Sequence, residues 1–370
     1  MARLWFVLAA ALLLAIWIEY RDWKLIERGR ERKEAAVTCL LILVLGFFCG
    51  LRTWGNDTVT YLQIFDQMPL WDEFLATYDF NFAKGIGFQI TTCLIKSVGF
   101  SRQDYLMIFA VATIIPYVLF VRRYSTRFVF GVFLMFATGF YTFSMAAIKQ
   151  TMAVGICLCA LPYVLDRQWI KFGLIIGLAS MFHPYAVIYL VAPLMTFQPL
   201  KGKTALYVCV FVMAGIYLEQ LIGSVLDVTD MMGVEYTEEE MLGAGVNFFR
   251  VLVSFIPLLL AWLCDRTMFE NAGEDVNLMF NLSMLNALIM FVGMFGTANY
   301  FARLANYFLP AQVVILPWVL SNVHHKERGW LMPCCVVGYL GYFYYENAII
   351  RPFDTSYTQM PFWEYIVSLF

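Results

Sequence analysis

Apolar runs close to the thickness of a bilayer follow one another from end to end of this 370-residue chain, joined by short polar connections. A helix needs about 20 apolar residues to cross the hydrocarbon layer, and in lipid every backbone amide must be paired internally. The pattern predicts an all-α polytopic membrane protein. Composition agrees: 14% of residues are charged, where a soluble domain carries about 25%. The chain is 61% hydrophobic with a mean hydropathy of +0.70. Too little charge is present to coat a water-facing surface, which excludes a secreted domain and a cytosolic enzyme. A net charge of −2 supplies no basic field for a polyanion, so no nucleic acid is expected as a partner. The nine cysteines lie nearly all within apolar runs, where Cys acts as a small hydrophobe. Neither Cys157-x-Cys159 nor Cys334-Cys335 has a His or carboxylate at metal-ligand spacing.

About twelve transmembrane helices are expected by the length criterion. They fall near 4–18, 35–51, 104–121, 128–146, 150–165, 169–182, 185–199, 205–223, 249–264, 278–298, 307–320 and 329–345. The first reads as a retained span, because it lacks an Ala-x-Ala-like exit. The stretch 85–100 is apolar but short, and Lys96 interrupts it. Charge decides its placement. With an external N-terminus and 85–100 not spanning, most of the 25 basic residues fall inside, as the positive-inside rule requires. If 85–100 crossed, Arg122, Arg123 and Arg127 would move outside. The reading is a single integral membrane domain over 1–370, with a large first outer loop of about 52–103 that holds an interfacial helix at about 85–100. The basic stretch 21–34, with Arg28, Arg30, Arg32 and Lys33, reads as an inner topology anchor, and the acidic segment 227–240 falls outside.

In so apolar a chain the charges beside the membrane carry the information. Arg52, Lys149 and Arg303 lie at the expected outer face together with His183 and Asp57. Three separated cations at one face suit a phosphate-rich ligand, and His183 is a base that titrates near working pH. Each has a second reading. Arg52 and Lys149 could snorkel to headgroups. His183 could cap a helix broken by Pro184. Asp57 could close an Asx turn after Gly55 and Asn56, and Arg303 could meet a structural partner. His324 and His325 read as solvated inner-loop residues. The aromatics Trp54, Tyr61, Phe65, Trp71, Tyr78, Phe80 and Phe82, and later Tyr300, Tyr307, Tyr342, Tyr344, Tyr345, Tyr357, Phe362 and Trp363, form either an interfacial belt or a platform for sugar or lipid.

Several of these residues fall in a recognisable order. Arg52, Gly55, Asp57 and Tyr61 resemble the R-x-x-G-x-D-x-x-x-Y motif of the EpsG family, which are Wzy-like polymerases of bacterial exopolysaccharide and capsule. Lys84 through Phe88 resembles the family's next segment without its acidic residue. Lys149, Gln150 and Ala153 are similar to its R-Q-x-x-A element, with Lys in place of Arg, which exchanges a planar fork for a point charge. Trp169 to Phe172 and Phe182-His183 through Ala186 resemble its K-F and F-H-x-S-A segments, with Pro184 and Tyr185 replacing small residues. Arg303, Tyr307 and Phe308 are similar to its R-x-x-x-Y-F element. The resemblance runs over about 40–320.

The resemblance implies a glycosyltransferase with a GT-C-like helical bundle, as in Wzy and O-antigen ligase. It implies no cofactor and no metal. Donor and acceptor would both be oligosaccharides on undecaprenyl diphosphate, joined at the outer face of a bacterial inner or cytoplasmic membrane to make exopolysaccharide, capsule or O-antigen. Membrane lipid, chain-length regulators and flippase proteins are the implied partners. In that reading Arg52, Lys149 and Arg303 bind the diphosphate, and the catalytic base is His183, favoured for its intrinsic pKa, with Asp57 second. Tyr61, Gln150 and Tyr307 position substrate. A ligase-like glycan transferase, a flippase-type transporter of lipid-linked oligosaccharide and a membrane O-acyltransferase stand as alternatives. The absence of a repeat and the gathering of charge at one face weigh against a transporter.

Overall fold

The computed structural model describes residues 1–27, 35–77, 85–231, 237–241, 243–264 and 266–370. The sequence readings at Arg28, Arg30, Arg32, Lys33, Tyr78, Phe80, Phe82 and Lys84, and part of the 227–240 segment, lie outside the described residues.

The apolar runs are helical, and the chain is an all-α polytopic membrane protein. In order it forms α1 (Ala2–Glu27), α2 (Ala36–Gly50), a short strand β1 (Arg52–Trp54), α3 (Thr58–Gln67), α4 (Trp71–Thr77), α5 (Ile86–Ser97), α6 (Arg102–Tyr124), α7 (Phe128–Ala137), α8 (Phe140–Phe143), α9 (Ile148–Leu165) and α10 (Trp169–Phe182). A 310 helix, Pro184–Met195, leads to α11 (Gly202–Ile216), α12 (Leu218–Met231), α13 (Glu238–Met241), α14 (Phe248–Cys264), α15 (Glu274–Val292), α16 (Ala298–Ala305), α17 (Leu309–Asn322) and α18 (His325–Tyr344). After a π-helical turn, Tyr345–Ile350, the chain closes with α19 (Phe353–Ser356), β2 (Thr358–Gln359) and α20 (Phe362–Ser368).

Among the described residues, four helices suffice by length and composition to cross a membrane: α1, α6, α9 and α15. Two bent pairs raise the number to six if each is one span. These are α11 with α12, at 96°, and α16 with α17, at 54°. The remaining expected spans include shorter apolar helices such as α2, α7, α10 and α14. The run 128–146 is interrupted because Gly139 sits at φ 80, a left-handed conformation that ends α7 and starts α8.

Local chemistry sets several boundaries. Ser101 and Asp104 form a reciprocal capping box at the start of α6: the Asp104 amide donates to Ser101 Oγ, and the Ser101 amide donates to Asp104 Oδ2. Pro184 disfavours helical backbone in the residue before it, so His183 leaves α10 in an extended conformation. Nearly every residue of α15 and α17 is buried, and these two helices form the centre of the core.

Polar contacts mark two ends of the bundle. Arg122 of α6 pairs with Asp22 of α1 at 3.0 Å, and Arg167 after α9 pairs with Glu274 at 2.7 Å. Helices α6 and α9 run side by side in the same direction, since Thr113 lies against Met152 and Pro116 against Gly155. Arg122, Arg123 and Arg167 therefore share one end. The opposite end holds the amino terminus beside Asp354 and the antiparallel pairing of β1 with β2. Helix α5 keeps both of its ends there. Gly85 and Gly87 abut Met181 and Phe182 at the end of α10, and Lys96 Nζ donates to the carbonyls of Asp66 and Met68, each at 2.6 Å.

Candidate active site

Four segments far apart in sequence meet at the β1–β2 end around a cavity of about 290 Å³. Helix α3 supplies Asp57 at its N-cap, then Thr60, Tyr61 and Ile64, which share one face at the spacing of a helical turn. The start of α9 supplies Ala147, Lys149 and Gln150. The break between α10 and the 310 helix supplies His183, and α16 supplies Arg303. Of the residues picked out in the sequence, Asp57, Tyr61, Lys149, Gln150, His183 and Arg303 thus share one cavity.

Tyr307 stands behind it. Its buried hydroxyl lies 2.8 Å from His183 Nδ1, and among the described residues it has no second hydrogen-bond partner. A buried phenol must place its proton somewhere, so Tyr307 donates and His183 accepts at Nδ1. A neutral imidazole that accepts at Nδ1 carries its hydrogen on Nε2. Burial, and then the charges of Arg303 and Lys149, push His183 from the ordinary 6.5 down to about 3. Its ring stays neutral across the working range.

Gln150 Nε2 donates to the Arg303 carbonyl at 2.5 Å, which ties α9 to α16. Asn286 Nδ2 of α15 donates to Ala305 O at 2.8 Å and secures the end of α16. Among the described residues no hydrogen bond or ion pair engages the Arg303 guanidinium. The Lys149 ammonium lies 5.0 Å from the centre of the Phe88 ring. The same ring meets Tyr61 edge-on at 5.8 Å. Burial raises the Tyr61 phenol to about 12, so it remains a hydrogen-bonding hydroxyl. Asp57 is exposed at the mouth and makes no side-chain capping bond to α3, which leaves its carboxylate out of the Asx-type role.

Arg52 is placed differently from the expectation. It does not line the cavity, and at 1% exposure it does not reach headgroups either. Its Nη1 donates to Cys49 O at 2.6 Å and its Nε donates to Thr58 Oγ1 at 3.2 Å. The guanidinium bridges the last turn of α2, where carbonyls are unpaired and negative, to the first residue of α3. A cation beside a span can face a helix end as readily as a ligand, and its sequence surroundings do not distinguish the two.

The aromatics also divide. Phe65 packs on Tyr105 at 5.0 Å, and Tyr357 stacks on Phe48 at 6.3 Å, so both are core residues. Trp54, Phe362 and Trp363 are exposed. Thr60, Ile64 and Phe88 were not singled out from sequence as site residues. The first two were legible as the turn-spaced neighbours of Asp57 and Tyr61.

Two cations, a neutral imidazole donor, a phenol and a carboxylate around one cavity suit an anionic ligand next to a hydroxyl that must lose its proton. Residues 35–366 match the family model described as the EpsG family. No curated protein and no solved structure matches the chain.

Proposed function

The chain belongs to the EpsG family, and on that premise we propose that it is a metal-independent polysaccharide polymerase. It transfers a growing glycan from undecaprenyl diphosphate to a sugar hydroxyl of an incoming lipid-linked repeat unit, at the outer face of a bacterial cytoplasmic or inner membrane. The family suggests an exopolysaccharide-related polymerase. The observation that carries the finer reading is the convergence of Lys149, Arg303, His183 and Asp57 on one cavity.

In this reading the glycosyl–oxygen bond to the diphosphate breaks as the acceptor oxygen attacks the sugar. Negative charge grows on the leaving oxygen, and Arg303 and Lys149 stabilise it from fixed positions. Asp57 takes the acceptor proton. His183 is the weaker candidate for that role, because Tyr307 fills its Nδ1 and leaves Nε2 with a hydrogen to donate. It holds a sugar or phosphate oxygen instead. Tyr61 and Gln150 line the space where the reacting sugar sits. Arg52 serves from behind by fixing the entry to α3, and through it Asp57 and Tyr61.

The test is purified protein with its lipid-linked repeat unit, in chelator. A ladder spaced by one repeat is expected from wild type and none from Asp57→Asn. A full ladder from Asp57→Asn and Arg303→Ala at normal expression overturns the assignment, and a single-addition product identifies a ligase-like transferase.

A further inference from the structure

A second cavity of about 310 Å³ runs between α6 and α9, and nothing in the reaction above uses it. Its walls are Ala112, Ile115 and Leu119 on one helix and Met152, Ile156 and Cys159 on the other. It opens sideways: Leu119 is 49% exposed, and Cys159 is exposed. The groove exists because α9 has a glycine where α6 has a proline. A Cβ on Gly155 would come within 2.8 Å of Pro116 Cγ, so the helices meet closely at that point and leave a trough beside it.

The trough shares no lining residue with the site described above, but it begins one turn along α9 from it. Lys149, Met152, Ile156 and Cys159 recur at helical spacing along α9, so the cavity's cation heads the stripe that forms one wall. The other wall connects in the same way. The Phe88 ring under the Lys149 ammonium packs on Phe109 at 5.2 Å, one turn before Ala112 on α6. Chemistry changes along this line from cationic to apolar, as it does along a lipid with a charged head. The far end holds Arg123, whose guanidinium lies over the Tyr124 ring at 5.4 Å.

We propose that this groove holds the polyprenyl chain of the lipid-linked substrate, beginning at its diphosphate beside Lys149 and running along α6 and α9. The proposal rests on the reading of the cavity as a diphosphate site. The chain is already out of water in the bilayer, so the groove favours it over bulk lipid by packing, and a groove wall that starts one turn from Lys149 sets the direction in which the diphosphate presents its sugar.

The experiment uses the full-length protein in lipid nanodiscs and a sugar-free polyprenyl diphosphate carrying a diazirine within its first isoprene units. Photolabelling is expected on residues 112–124 and 152–162, competed by unlabelled polyprenyl diphosphate and not by phosphatidylglycerol. Lys149→Gln is expected to reduce it about fivefold, as loss of a charged anchor would. Labelling spread over other lipid-facing helices, or competed equally by phosphatidylglycerol, overturns the proposal and identifies bulk lipid. A second arm compares Ala112→Trp and Cys159→Trp on repeat units with full-length and truncated carriers. KM is expected to rise about tenfold for the long carrier, as overfilling a packed groove would make it, and to stay unchanged for the short one. Equal losses on both, or none on either, overturn it. Groove labelling in a wild-type protein that makes no polymer from any carrier would instead sink the polymerase reading and leave the groove standing.

Discussion

At the scale of single residues, two arginines that look alike in sequence part company in the structure. Arg303 lines the cavity with no hydrogen bond or ion pair on its guanidinium among the described residues, whereas Arg52 is sealed between Cys49 O and Thr58. Their variants should separate on two measurements. Arg303→Ala removes a preorganised cation and should lower turnover by about 10²–10³, with no fall in melting temperature. Arg52→Met leaves the Cys49 carbonyl at the end of α2 and the Thr58 hydroxyl without their partner, at a cost of about 1.5–3 kcal/mol for each bond to a charged group. It should lower melting temperature and activity together. A turnover loss in Arg52→Met with unchanged melting would return that residue to the ligand set. His183 gives a second contrast. Its pKa lies below the ordinary 6.5, near 3, so as pH falls through about 6 the ring does not gain a proton. Wild-type turnover should show no acid limb at the ordinary histidine value, and His183→Gln should lower the rate without changing the shape of the profile. An acid limb near 6.5 that vanishes in His183→Gln would mean that the imidazole titrates in function and is the base after all.

At the scale of elements, the site depends on a clamp supplied by the far end of the chain. β2 pairs with β1 with Arg52 opposite Gln359, the Met360 amide donates to Leu51 O at 2.8 Å, and Tyr365 Oη donates to Asp104 Oδ1 at 2.9 Å. Gly55 makes that contact possible. It sits at φ 105, and a Cβ there would lie 2.2 Å from Ser356 O. Gly55→Ala should therefore cost about 1–3 kcal/mol in backbone strain and lower polymer yield by loosening α3. Proteolysis should become faster in the 352–361 segment, and an unchanged cleavage pattern would count against the clamp. The clamp was not legible in the sequence, because its bonds join groups 261 or more residues apart and short strands leave no periodic signature. The helices were legible, since a long apolar run in lipid has no other way to pair its amides. Their breaks were less so. Pro184 announces one, but the turn at Tyr217 between α11 and α12 carries neither Gly nor Pro. Likewise the order of Asp57, Tyr61, Lys149, His183 and Arg303 along the chain pointed to a shared site, while the burial of Arg52 depends on what packs around it.

At the scale of the whole molecule, the two ends of the bundle differ in charge, and that difference makes a prediction about sidedness. Arg122, Arg123 and Arg167 gather at the end opposite the cavity. Basic residues are retained on the cytoplasmic side, which predicts that the cavity faces outside. The prediction turns on α5, since a crossing there would invert everything after it. Its geometry argues against a crossing. Twelve residues of helix extend about 18 Å, less than the hydrocarbon thickness of about 30 Å, and Lys96 at its last turn is held by the carbonyls of Asp66 and Met68 at the end of α3. Single cysteines at exposed Gln67, Val98 and Asp166, in a background without the native ones, decide the matter. A membrane-impermeant thiol reagent should label Gln67→Cys and Val98→Cys in intact spheroplasts, and Asp166→Cys only after permeabilisation. Labelling of Gln67→Cys and Val98→Cys from opposite sides would show that α5 crosses. It would carry Arg122 and Arg167 outward with it and leave Lys149, His183 and Arg303 facing the cytoplasm, where a polymer bound for the cell surface has no reason to be made.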